Sequence, residues 1–376
     1  MLRFAFILIA GFLTFSKIDA QTMKAENTIT SLFIANDSDL LGKNNEEVKS
    51  CLTLLNMAGQ RIQKNFPDAN FSNMGKDEAI SVLATIDSVF TEYRFLFYTN
   101  PKDPHFDFLT LAFRDLYPVN NYLWYARNPY RKAYWATHQE ENCRLIDCDL
   151  YCFIYLGIAE MNSLPLTMIE LPEHNFIRWN FEDGKYINWE VIEGAYHESE
   201  TTLSCYYRLN DLNRYYYLRP WSVAEVKSYY FTLRGATFDY NPKYLNPTKA
   251  KRDYETAISY SSNRAVTFNN LVWLYVVTPA FDTSFNLNLL LAMTDSAISK
   301  INDRNYYDTK AGLYAQAGNF KMAIATEEQG LKTLYDPDNV LQDCRKHLEW
   351  FNENITIREG RRREKSATLS SGAIQQ

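Results

Sequence analysis

The sequence predicts an α+β chain in which a helix and an antiparallel sheet build a first core and an all-helical array follows. Three observations lead there. Apolar residues recur at helical spacing over 148–161, where Tyr151, Ile154, Tyr155, Ile158 and Met161 form one stripe. Three β-prone segments come next, 166–171, 174–181 and 185–191, the last two joined by Glu182-Asp183-Gly184 as a hairpin turn. Beyond residue 220 the pattern becomes helical throughout, with short turns between segments.

The chain opens on Met1-Leu2-Arg3 and an apolar run over 4–15, with Ala20 closing a cleavage site. Residues 1–20 therefore read as a signal peptide, and a periplasmic or secreted protein is expected; an uncleaved anchor is the alternative. An oxidising destination permits disulfides. Yet Cys51, Cys143, Cys148, Cys152, Cys205 and Cys344 are scattered, so few bridges are expected. A net charge of −6 over 376 residues offers no basic footprint, which excludes a nucleic-acid partner. No membrane contact is expected apart from the signal segment.

A first domain over 21–205 begins with a polar lead-in at 21–45. Helices follow over 45–65, on Val48, Leu52, Leu55 and Ile62, and over 76–95, on Ile80, Leu83, Ile86, Val89 and Phe90. The aromatic stretch 98–134 reads as core rather than as a substrate wall.

Chemistry concentrates after it. Cys148 opens a helix beside Asp147, a good cap, and the free amides there favour a thiolate and can face an oxyanion. His174 begins one strand and Asn188 lies in the next, so an amide oxygen could accept from the imidazole and fix its tautomer. A Cys148–His174–Asn188 triad is the expectation, with Arg178, Trp189 and Glu190 as binding residues around it. Arg178 either holds a substrate carboxylate or pairs with an acid. Glu190, on the strand face of Asn188, either orients the site or is solvated. A zinc site from Cys143, Cys148, Cys152 and His174 lacks paired Cys-x-x-Cys spacing, so neither metal nor cofactor is expected.

The run Cys148-Asp149, Tyr155-Leu156, Ile158-Ala159, then Leu171-Pro172-Glu173-His174, Phe176, Arg178-Trp179 and Asn188-Trp189-Glu190 resembles the transglutaminase-like branch of the papain-type cysteine proteins. That resemblance implies a helix bearing Cys148 on an antiparallel sheet bearing His174 and Asn188, and acyl transfer to water or an amine. Ile146 and Asp147 stand where the family commonly has Gly, and Cys152 where it has a small residue.

Residues 220–350 are expected to be helical repeats, drawn as 223–238, 248–260, 265–277, 286–300, 306–317 and 320–334. The unit Thr309-Lys310-Ala311-Gly312-Leu313-Tyr314-Ala315-Gln316-Ala317-Gly318-Asn319-Phe320-Lys321-Met322-Ala323-Ile324 resembles a tetratricopeptide repeat. This implies a groove for a peptide or protein partner, or a buttress for the first domain. The basic tail over 351–376 reads as solvated or disordered. Two functions stand side by side: a cysteine-dependent amide or peptide hydrolase, and a scaffold that binds through its repeats.

Overall fold

The computed structural model describes residues 28–42, 45–98, 108–119, 129–172, 174–197, 215–333 and 340–372. The expected signal peptide at 1–20, much of the aromatic stretch and residues 198–214 lie outside them. The protein is α+β and divides into two compact units, Met1–Thr201 and Thr202–Gln376.

The first unit contains helices α1 (Ile29–Leu41), α2 (Asn45–Asn65) and α3 (Lys76–Glu92), then β1 (Phe95–Phe97), α4 (Leu109–Arg114), β2 (Tyr117–Pro118), α5 (Pro129–Thr137) and β3 (Asn142–Ile146). The central helix α6 (Cys148–Asn162) follows, and then β4 (Leu166–Leu171), β5 (His174–Asn180), β6 (Tyr186–Glu190) and β7 (Ala195–His197). These last strands form one antiparallel sheet in sequence order; β1 pairs parallel to β3, and β2 antiparallel to it. Helix α6 packs on β4 and β5 and is covered by α1 and α2. That explains why almost all of it is buried rather than one stripe.

Two boundaries differ from the sequence reading. Within the polar lead-in, Ile29–Leu41 form a helix, because α1 hides polar groups: Thr30 Oγ1 donates to Phe153 O at 2.7 Å, and buried Asp37 accepts from the Thr110 amide at 3.2 Å. A face satisfied by hydrogen bonds carries no hydrophobic period. The helix expected over 76–95 stops at Glu92, since Arg94 is left-handed at φ 69°, and Phe95 opens a strand instead. Phe108, Phe113 and Trp135 are buried, as core residues.

Gly157 fixes how closely α1 lies on α6. A Cβ there would overlap the Thr30 side chain. Gly157→Ala is therefore expected to cost about 1–3 kcal/mol by forcing the helices apart. Urea unfolding measures it, and an unchanged midpoint would show that the interface yields.

The second unit is a helical array: α7 (Val223–Tyr240), α8 (Pro247–Tyr260), α9 (Ala265–Val277), α10 (Leu287–Lys300), α11 (Arg304–Gln316), α12 (Phe320–Leu331), α13 (Leu341–Asn352) and α14 (Ile357–Gly372). Each of these through α13 packs on the next, and α7, α9, α11 and α13 also touch in succession. Such nearest-neighbour packing is how stacked helix pairs share one continuous core. Arg234 on α7 pairs with Asp253 on α8 at 3.0 Å, both buried. Gly318, at φ 77°, makes the turn from α11 to α12.

Within the basic tail, expected to be solvated or disordered, Ile357–Gly372 form helix α14, whose residues 361–366 are exposed, and 373–376 lie outside the described residues. Arg358 is drawn in by backbone acceptors: its guanidinium donates to the carbonyls of Tyr275, Val276 and Thr278 at the end of α9, and it pairs with Asp282 at 2.6 Å. A cation at a helix C-terminus meets both orphan carbonyls and the negative end of the dipole.

Candidate functional site

Asp147 caps α6, its carboxylate accepting from Leu150 N at 2.9 Å, and Cys148 is the first helical residue. Its amide has no intrahelical partner there. The thiol donates to Asp149 Oδ1 at 3.7 Å, and the backbone N–H of Asn175 is directed at the sulfur. Since that amide is joined to His174, sulfur and histidine backbone are near neighbours, though thiol and ring are not hydrogen-bonded to each other.

The electrostatics oppose a resting thiolate. The residue keeps some exposed surface, but its sulfur is enclosed, and this desolvation raises the Cys148 pKa well above the ordinary thiol value. Asp149, Asp147 and Cys152 push it further; the Asn175 amide pulls the other way. The helix N-terminus expected to lower this pKa is outweighed by burial first and then by its own acidic residues.

His174 Nε2 lies 2.6 Å from Glu190 Oε2, both side chains largely buried. Burial lowers the imidazole pKa, but the hydrogen bond and charge of Glu190 outweigh it, and the net shift is upward. Glu190 is itself held by Ile192 N, which donates to its other oxygen at 3.0 Å. The segment carrying Ile192 is pinned in turn by buried Arg131, which donates to the carbonyls of Val191 and Ile192 and pairs with Asp87.

Asn188 does not reach His174. Arg178 stands opposite it in the register, and Arg178 Nε donates to Asn188 Oδ1 at 2.8 Å while its guanidinium lies 3.9 Å from the Tyr186 ring centroid. The carboxamide serves the arginine, and the group that meets the His174 ring is Glu190 instead. Arg178 is likewise engaged within the sheet rather than presented to a substrate. Trp189, expected at the site, is a core residue whose indole donates to Tyr155 Oη at 2.9 Å. Trp189 and Glu190 sit on opposite strand faces, and strand alternation gives one to the core and the other to the histidine. Asn175 was missed altogether: its side chain donates to Asp149, the acid that holds the thiol. Its place directly after the histidine was the available signal.

Cys51, Cys143, Cys148, Cys152 and Cys344 are free thiols. Among the described residues, no helix is long and apolar enough to cross a membrane. No family model and no curated protein matches the chain.

Proposed function

We propose that the first unit is a transglutaminase-like, cysteine-dependent acyl-transfer domain, acting as an amide or peptide hydrolase, with Cys148 as nucleophile, His174 as base and Glu190 as the group that orients it. The observation that carries this reading is the 2.6 Å His174–Glu190 pair on the residue whose neighbouring amide reaches the Cys148 sulfur. The Cys148 proton passes to His174 as sulfur attacks the carbonyl carbon, and the developing oxyanion faces the Cys148 amide. His174 returns the proton to the departing amine, leaving a thioester. Water, deprotonated by the same ring, releases the acid and restores the thiol. Because the thiol rests protonated on Asp149, attack and proton transfer are coupled, and no thiolate–imidazolium pair is stored.

A second reading follows from that same raised thiol: a binding protein whose first unit is structural and whose helical array holds a peptide or protein. p-Nitrophenyl acetate separates the two. The hydrolase reading expects a burst of nitrophenolate and an acetyl group mapped to Cys148, both lost in Cys148→Ala and His174→Ala. Equal nitrophenolate release from wild type and Cys148→Ala would leave the binding reading. Export, like the hydrolase reading, stays a proposal, and it is checked by the N-terminal sequence of the chain recovered from an expressing cell's exterior.

A further inference from the structure

The second unit buries a cluster that neither repeat packing nor acyl transfer uses. Asp308 on α11, Glu327 on α12 and Cys344 on α13 are each buried, and their oxygen and sulfur atoms lie within 4.8 Å of one another. His347 stands one helical turn after Cys344, and its Nδ1 is 2.7 Å from Asp308 Oδ1.

Glu327 is the anomaly. It is 0 % exposed, and among the described residues no hydrogen-bond partner meets either carboxylate oxygen. Its nearest polar neighbours are the Cys344 thiol and the Asp308 carboxylate, with Arg304 the cation facing it. Burial first, then Asp308, holds the Glu327 carboxyl well above its usual range, and burial with Asp308 and Glu327 does the same to the Cys344 thiol. A helical repeat needs small and apolar residues at such a seam. An unpartnered carboxyl there is costly unless something else accepts its oxygens.

We propose that Asp308, Glu327 and Cys344 bind a zinc-class divalent cation that ties together α11, α12 and α13. The donor set argues for this class, since a thiolate with carboxylates suits zinc and disfavours magnesium or calcium, which take oxygen alone. Charge argues for a dication, because Arg304 can balance only one of the three acids once all are ionised. Bond lengths of about 2.0–2.3 Å set tetrahedral donors roughly 3.5 Å apart, so rotamer adjustment on the order of 1 Å closes the site. His347 then acts from behind, donating to Asp308 and fixing which oxygen faces the metal, as ring N–H groups do for ligating carboxylates elsewhere.

Cobalt titrated into the chelator-stripped full-length chain reads this directly. One equivalent is expected to bind and give a near-ultraviolet thiolate-to-cobalt charge-transfer band, with zinc displacing it. Cys344→Ser removes the band, while Cys148→Ser keeps it. Glu327→Gln, an amide the size of the protonated acid it replaces, keeps the fold and weakens zinc more than about 100-fold; His347→Ala weakens it about 10–100-fold. Absent binding, a band that follows Cys148 instead, or Glu327→Gln affinity equal to wild type overturns the proposal. The last arm decides even where Cys344→Ser does not fold.

Discussion

Arg131→Ala is expected to lower the unfolding free energy of the first unit by about 3–5 kcal/mol, among the largest losses any single side chain here would cause. Arg131 is 1 % exposed and Asp87 3 %. Removing the cation strands a carboxylate between α3 and α5 and leaves the carbonyls of Val191 and Ile192 without their donor. Apolar substitution of both partners is the control. Arg131→Met with Asp87→Leu should recover most of the loss, because the cost lies in the unpaired charge and not in the absence of the pair. Urea denaturation followed by Trp fluorescence measures both variants. A single-variant loss below about 1 kcal/mol would mean that Asp87 is reached by water, contrary to its burial. Val191 and Ile192 follow Glu190 directly, so the same variant should also weaken the burst with p-nitrophenyl acetate.

Glu190→Gln is expected to slow Cys148 acylation by about 10²–10⁴-fold, the range associated with a positioned acid–base group. Its pH profile separates orientation from mere packing. A base must be neutral, and Glu190 holds the His174 pKa above the ordinary imidazole value. The wild-type rate should therefore climb with pH through a midpoint above about 6.5. In Glu190→Gln, burial is opposed only by the charges of Asp149 and Glu193, and the midpoint should move to lower pH even as the plateau falls. Asn188→Ala, which disturbs Arg178 instead, should leave that midpoint alone. Equal profiles in wild type and Glu190→Gln would remove Glu190 from the mechanism. Linkage gives the same pair a stability signature. The raised pKa contributes stability that is complete below the unfolded imidazole value and is lost as pH rises through the folded one.

Much of the architecture was legible because its elements follow strong local rules. The helix starting at Cys148, the strand over Leu166–Leu171 and the helix Ala265–Val277 fall on their expected bounds, each marked by a cap, a run of β-branched and large apolar residues, or an apolar block. Helix α1 was hidden because its buried side carries Thr30 and Asp37, whose hydrogen-bond partners lie far along the chain. The tail misled for a related reason. Arg361, Arg362 and Arg363 are exposed as a run of arginines suggests, but nothing local says that Arg358 finds acceptors 82 residues upstream.

At the site, residue types were readable and partnerships were not. Strand parity put Asn188 and Glu190 on one face, but register decides which of them meets His174, and register is a property of the whole sheet. The sign of the Cys148 shift was also beyond reach, since it is set first by burial of the sulfur, which only the packed fold creates, and then by Asp149 and the cap Asp147.

The grip of Arg358 on the end of α9 bears on the order in which the array can form. During synthesis the final carbonyls of α9 stay hydrated until a residue encoded some eighty positions later leaves the ribosome. The contact that seals the end of α9 is thus made only once the first turn of α14 has been synthesised. Melting of the array should then be a single concerted event, not a progressive fraying from one extremity.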